Sequence, residues 1–243
     1  MATRLTHMAE RYHLLDRLQI GGRPKRSAVD AAMYLATLIN GGNRKGKTTS
    51  TLCIDVKGAV DNVFKESLLH TMRTMKLDQK TTRWVETFLS ERMASLSFDK
   101  DSKKMSLIDT GIPLAQGSPV SPTLFLFYVS PLFEVMHLKH PHVICPSYID
   151  DICLLVEGNS PEDNVTELEE AVATGFKWGE ENAVAFDDSK SKLMHYYKAR
   201  KRVENLYVNV VLLNGTCIES SDVQRWLGFW FDRKLSWKHH IQT

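Results

Sequence analysis

Tyr148-Ile149-Asp150-Asp151 constrains the fold more than any other stretch of this chain. The apolar run Val143-Ile144-Cys145 precedes it, and Ile152-Cys153-Leu154-Leu155-Val156 follows. Apolar, β-branched runs on both sides of a short acidic break read as a tight β-hairpin over 143–156, with both carboxylates at its tip. Two close like charges repel and raise one another's pKa. A fold keeps such a pair at low cost on a solvated turn, or where a cation neutralises it. The second reading points to a hard divalent cation such as Mg²⁺, which takes one or two carboxylates plus substrate phosphates. These four residues alone leave both readings open.

Thr51-Leu52-Cys53-Ile54-Asp55-Val56 reads as a strand with a carboxylate near its end, and Asp61 follows shortly after. Asp55 alone is unremarkable, since an Asp closing a strand is usually a helix cap or turn residue. Beside Asp150 and Asp151 it has a different meaning. Three carboxylates on neighbouring strands can hold two metal ions roughly 4 Å apart, an arrangement that stabilises attacking and leaving oxygens in phosphoryl transfer.

The remaining elements follow from periodicity and caps. Residues 1–20 read as a helix, with Leu5, Met8, Tyr12 and Leu15 on one face, ended by Gly21-Gly22. Ser27 is the expected N-cap of a helix over 28–39. Gly41 to Lys47 reads as a short flexible loop. Helices are expected over 63–76 and 79–90, and a hairpin from 94–98 and 105–109. Pro119 and Pro122 bracket the start of a helix running to about Met136. Pro161 opens another over 162–182, with Glu162 and Asp163 in the first turn, as the helix dipole prefers. Strands are expected at 191–197 and 206–213, and a final hairpin over 216–231. Strands and helices do not alternate regularly, so the class is α+β.

Composition is compatible and otherwise quiet. At 243 residues and 43% hydrophobic, the chain can bury a core for one or two domains. A net charge of +2 does not announce a nucleic-acid binder. Charge is local instead, at Arg23-Lys25-Arg26, Arg44-Lys45-Lys47 and Lys198-Arg200-Lys201-Arg202. The last cluster weakly matches a nuclear import signal. Cys53, Cys145, Cys153 and Cys217 lack metal-binding spacing and read as free thiols in a reducing compartment. His137, His140 and His142 surround Pro141 and read as a loop rather than a zinc site. No apolar run has the length of a membrane span.

The order of the motifs resembles the reverse transcriptase of non-LTR (LINE-type) retrotransposons, most closely the fungal kind. Asp55-Val56-Lys57-Gly58-Ala59-Val60-Asp61 looks like the first palm motif of that family, usually D-x-x-x-A-F-D. Gln116-Gly117-Ser118-Pro119-Val120-Ser121-Pro122 looks like the second, and Tyr148 to Asp151 like the third. Trp178, Asn182, Phe186 and Lys190 fall on the fourth. Leu227-Gly228 with Asp232, Leu235, Trp237 and His240 match the fifth. Gly22-Arg23-Pro24-Lys25-Arg26-Ser27 resembles a fingers motif. Two departures stand out: two extra residues precede Gln116, and Val60 replaces the usual aromatic.

The resemblance implies a right-hand polymerase with an antiparallel palm sheet packed on helices. Residues 1–50 would be partial fingers, 51–220 palm with inserted fingers elements, and 221–243 the primer-grip hairpin and the start of a thumb. The implied activity is RNA-directed DNA polymerisation from dNTPs by two Mg²⁺ ions, or Mn²⁺ in their place. Asp55, Asp150 and Asp151 would hold the metals. Lys190 would protonate or neutralise the departing pyrophosphate. Arg23, Arg26, Val60, Gln116 and Gly117 would meet nucleotide or template, with Leu227-Gly228 as primer grip. The implied partners are an RNA template and a DNA primer. The implied place is intracellular, nuclear at integration. A catalytically silent retrotransposon remnant that at most binds nucleic acid is the competing reading, since the segments before Arg4 and after Thr243 expected of the family are missing. An RNA-dependent RNA polymerase fits the fourth and fifth motifs less well.

Overall fold

The computed structural model describes residues 1–59, 62–90, 93–96, 106–109, 114–115, 117–197 and 207–242, with only the backbone of 93–96 and 106–109. The central strand is β1 (Thr48–Lys57). Along one edge it pairs antiparallel with β5 (Asp151–Gly158), which carries β4 (Ser147–Tyr148) as its hairpin partner. Along the other edge two short strands share β1 end to end. These are β6 (Ala185–Phe186), opposite Val56 and Lys57, and β7 (Lys192–Tyr196), opposite Thr49 to Cys53. The 3-10 turn Asp188–Lys190 lies between them.

Alternation along β1 assigns its two faces. Leu52, Ile54 and Val56, with Ile152, Leu154 and Val156 of β5, pack into a core shared with α5 (Ser121–Lys139) and α6 (Pro161–Glu181). Cys53, Cys153, Leu155, Met194 and Tyr196 belong to a second core on the opposite face. Its cover is α2 (Ala28–Arg44) and a hairpin of β10 (Val223–Trp226) and β11 (Phe229–Asp232), which supply Leu35, Ile39, Trp226 and Phe231. A sheet buried on both faces explains why β5 reads as a near-continuous apolar run, and why Thr48, Thr49, Ser50 and Thr51 of β1 are buried although polar.

Local chemistry sets the helix starts. Ser27 and Asp30 form a reciprocal capping box on α2. Ser160 accepts from Asp163 N–H at the start of α6, with Pro161 just inside. α1 (Ala2–Arg11), α3 (Lys65–Thr74), α4 (Gln79–Leu89) and β3 (Ser106–Asp109) fall within the expected spans, and β2 (Met93–Leu96) starts one residue before its own.

Several expectations are corrected. The first helix stops at Arg11, not near residue 20. Residues 18–21 instead run alongside β4: Leu18 O accepts from Ser147 N–H, and Ser147 O accepts from Ile20 N–H (both 2.8 Å). Gly41 and Gly42 are helical, because α2 continues to Arg44 and a side chain on Gly42 would strike Thr49 of β1. The glycine permits close helix–strand approach rather than a loop. The final hairpin is two units. β8 (Val210–Val211) pairs with β9 (Cys217–Ile218), separately from β10–β11, and within the described part of 206–213 only Val210 and Val211 are strand. His137 lies inside α5, and His140 bonds Thr174 Oγ1 (2.8 Å). No helix among the described residues is long and apolar enough to cross a membrane.

Candidate active site

Asp55 and Asp151 are register partners across β1 and β5. Opposed residues of an antiparallel pair project to the same face, so the sheet itself sets these carboxylates side by side. Asp150 sits in the turn between β4 and β5. Its carbonyl accepts from Val56 N–H (3.2 Å), tying the turn back to β1.

That turn has Ile149 and Asp150 at its centre, since Tyr148 pairs with Asp151. Ile149 has φ of 59°. Tight hairpins favour positive φ at this position, but a β-branched residue is strained there. Gly21 lies directly beneath: a Cβ on it would stand 2.6 Å from Ile149 N and 2.7 Å from Tyr148 C. The strained turn therefore rests against a glycine backbone.

The carboxylates feel one another. Burial raises the Asp150 carboxyl above its ordinary range, and the Asp55 charge adds to the rise. Burial likewise pushes Asp151 up to about 6, helped by the charges of Asp150 and Asp55 and opposed by Lys190.

Lys190 arrives by a traceable route. Trp178 is buried in α6, and Asn182 ends that helix by donating from Nδ2 to Trp178 O (2.8 Å). Tyr128 Oη of α5 donates to Asn182 O. The chain turns back so that Phe186 pairs with Val56 and stacks on Phe176, centroids 4.9 Å apart. Asp187 N–H then donates to Asp55 O (2.9 Å), and the next turn delivers Lys190 Nζ to Asp55 Oδ2 at 2.7 Å. The Asp55 bond and charge raise the lysine's pKa, so it is a cation at neutral pH. The fourth motif is thus a fold-back that places one ammonium on Asp55, with Asp187 Oδ2 also 3.6 Å away.

The β10–β11 turn completes the site. Trp226 pairs with Phe229, leaving Leu227 and Gly228 as a two-residue loop with φ of 50° and 86°. Positive φ at both positions is the hairpin geometry whose twist matches the strands. Gln224, fully buried on β10, donates to Cys53 Sγ and accepts from Thr51 Oγ1, fastening this hairpin to β1 just below Asp55. Asp232 accepts from the N–H groups of Lys234, Ser236 and Trp237. Trp237 then packs on Phe231 at 5.3 Å. The fifth motif therefore builds the hairpin and folds residues 233–237 back onto it.

An open cleft of about 450 Å³ results, lined by Asp55, Asp151, Lys190, Lys192, Arg225 and Leu227 among others. The remaining expected residues lie elsewhere or outside the described residues. Val60, Asp61 and Gln116 are not among the described residues. Gly117 is exposed with φ of 85° and open space around it, ahead of α5. Arg23 is nearly buried and engaged: Nε and Nη2 donate to Glu10 (2.6 and 2.8 Å), and Nη1 donates to Asp16 O and Gln19 O. It clamps the 13–21 segment to α1. Arg26 donates to Arg17 O and lines a different cleft, with Arg17, Asp30 and Tyr34. Of the basic clusters, Lys45 and Lys47 reach Glu157 and Asn159, while 198–202 lie outside the described residues.

The oxygen donors suit a hard divalent cation. Asp151 is held above its usual range by burial and carboxylate neighbours, which marks negative charge that lacks full compensation. Among the described residues, no group of three or more His, Cys, Asp or Glu side chains is placed to hold a metal ion, so the expected set of Asp55, Asp150 and Asp151 is not gathered into one metal site here. A set of one or two carboxylates, open to substrate phosphates, is what Mg²⁺ takes.

Comparison with known proteins identifies the family and the fold. The family profile "Reverse transcriptase (RNA-dependent DNA polymerase)" matches residues 1–231. The chain belongs to the reverse transcriptase family. It is similar to the RNA-directed DNA polymerase from mobile element jockey of Drosophila melanogaster, 26% identical over 191 residues, or 77% of this chain and 20% of the relative. The Drosophila funebris counterpart is 23% identical over 193 residues, 78% of this chain and 20% of the relative. The chain thus spans about a fifth of the curated relatives it matches. In fold it is similar to apo telomerase from Candida tropicalis truncated from its C-terminal domain, with a TM-score of 0.62 at 12% identity, covering 97% of this chain and 43% of that one. Telomerase from the same organism in complex with a TWJ fragment of telomeric RNA gives 0.61 at 10% identity, covering 87% and 33%. The right-hand polymerase fold expected from the motifs is therefore observed.

Proposed function

We propose that this chain is the catalytic core of an RNA-directed DNA polymerase that extends a DNA primer on an RNA template from dNTPs. The observation that carries the reading is one open cleft shared by the paired Asp55 and Asp151, the Lys190 ammonium and Leu227 of the β10–β11 turn. On this reading residues 1–50 serve as fingers, 51–220 as palm, and 221–243 as primer grip and thumb.

Asp55 and Asp151, with Asp150 beside them, would hold divalent ions, for which Mg²⁺ is the proposed species. When bound, the metal supplies a lowered pKa for the primer 3′-hydroxyl and charge neutralisation for the leaving oxygens. The other roles belong to the chain. The 3′-oxygen forms a bond to the α-phosphorus while the bond to the β-phosphate oxygen breaks. Lys190, which shares the cleft with Lys192 and Arg225, would neutralise or protonate pyrophosphate as it leaves. Without substrate it neutralises Asp55, and a divalent cation on that carboxylate would release it. Leu227 and Gly228 would seat the primer end over the carboxylates. Gln116 and Gly117 would approach the nucleotide and template, and the open space at Gly117 leaves room for them. Arg26 would contact template or triphosphate; Arg23 would act through the clamp on Glu10. Val60, smaller than the family's aromatic, would admit a ribose 2′-hydroxyl.

Primer extension on poly(rA)/oligo(dT) tests this. Mg²⁺-dependent incorporation of dTTP that EDTA abolishes is the expected result. Nucleic-acid binding without any incorporation would instead support a silent remnant.

A further inference from the structure

Helix α4 carries a feature that the polymerase cleft does not use. Lys80, Arg83, Trp84, Thr87 and Phe88 recur at helical spacing along one face, and Arg4 of α1 faces them. Together they line a second open cleft of about 480 Å³, which shares no lining residue with the carboxylate cleft. The buried side of α4, with Thr81, Thr82, Val85 and Leu89, faces the protein. On the outer side Lys80, Arg83, Trp84 and Thr87 are exposed, while Phe88 packs partly against the core and backs the Trp84 ring.

Two properties meet on that side. Trp84 and Phe88 stack with centroids 5.1 Å apart and planes 12° from parallel. Trp84 is 36% exposed, so part of its ring surface meets solvent. Around the rings stand three cations and no carboxylate among the lining residues. Arg4 pairs with Asp78 at 3.1 Å, but both are half exposed, and such pairs hold little energy. Lys80 and Arg83 make no ion pair among the described residues.

We infer that this α4 face binds single-stranded nucleic acid. Cations one helical turn apart meet successive phosphates, and an aromatic face at the same level takes an unstacked base. A duplex has its bases already stacked and would use the cations alone. An acidic peptide would likewise leave the rings without a matching flat partner. Charge complementarity with π faces thus favours a single strand, whether template or displaced strand. This surface does not depend on the carboxylates being catalytic.

Anisotropy of a short fluorescein-labelled oligouridylate tests it. Trp84→Leu keeps apolar bulk without a π face and should weaken binding roughly tenfold. Trp84→Phe should retain most of the affinity, which a merely structural role would not explain once melting temperatures match. Lys80→Gln/Arg83→Gln should flatten the slope of log affinity against log salt by about 1.4. Lys192→Gln/Arg225→Gln, in the other cleft, serves as comparison. The inference is overturned if Trp84→Leu binds like the parent, or if duplex or oligoglutamate competes as well as the single strand. If no primer extension occurs yet Trp84→Leu still weakens binding, the surface stands and the polymerase reading falls.

Discussion

Replacing Asp151 with Asn should stabilise the protein while removing one proposed metal ligand. Asp151 has an ordinary pKa of 3.8, which burial and the Asp150 and Asp55 charges raise to about 6. Between those values the folded state binds more protons than the unfolded state, so stability falls as pH rises from about 4 to 6. Above pH 6 the whole cost is present. At about 1.4 kcal/mol per pKa unit the ceiling is about 3 kcal/mol. Asp151 remains partly solvated, and screening reduces this to about 1–2 kcal/mol. For a chain of this size each kcal/mol moves the melting temperature by about 2–4 °C. Asp151→Asn should therefore melt about 2–8 °C above the parent at pH 8. The gap should close as pH falls to 4, where the parent's carboxyl is protonated. Mg²⁺ should narrow it too, since a cation that binds only the folded parent stabilises it by mass action. Differential scanning fluorimetry across pH 4–8 reads all three. Equal melting at pH 8, or a gap unchanged at pH 4, would refute the reasoning.

Other outcomes follow from the same geometry. Gly21→Ala forces a Cβ into the backbone of Tyr148 and Ile149; it should cost about 1–3 kcal/mol and lower the extension rate more than substrate affinity, read as a kcat-against-KM split. Lys190→Met should slow incorporation by about a hundredfold or more while the melting temperature changes little, because the lysine is exposed. His195 is buried between Ser50 Oγ (2.7 Å) and Val208 O (2.9 Å), and burial lowers its pKa. Its unfolded state thus binds more protons, so stability should drop as pH falls below about 6.5; the acid limb of urea melts should flatten in His195→Gln. Val60→Phe should discriminate better against ribonucleotides, measured as the rNTP to dNTP ratio of kcat/KM; an unchanged ratio would count against an open gate at Val60.

How much of this was legible depended on range. The Asp150-Asp151 hairpin announced itself because apolar runs and a polar turn are local signals. Ser27 and Pro161 likewise mark helix starts through bonds within one turn. The fourth motif showed its residues but not its reason, since Lys190 reaches Asp55 only through the fold-back that pairs Phe186 with Val56. Arg23 looked like a phosphate ligand because its pattern is basic; its partner Glu10 lies on another element. Gly41 and Gly42 carried a loop signal, yet α2 runs through both, and Gly42 packs against Thr49. Gln224 and the Ser50–His195–Asn164 network gave no sequence sign, for a buried polar residue is recognised by partners distant in sequence. The aromatics and cations of α4 were visible, but only the helix shows that they share a face.

Single-nucleotide addition with protein in excess over primer–template tests the central claim most directly, because excess protein removes weak affinity as a confounder. The account predicts that the parent adds one dTMP opposite rA in Mg²⁺, and that Asp150→Asn, equally folded by its melting curve, adds none. Equal addition by the two proteins, or none by the parent when primer–template is fully bound, would contradict it.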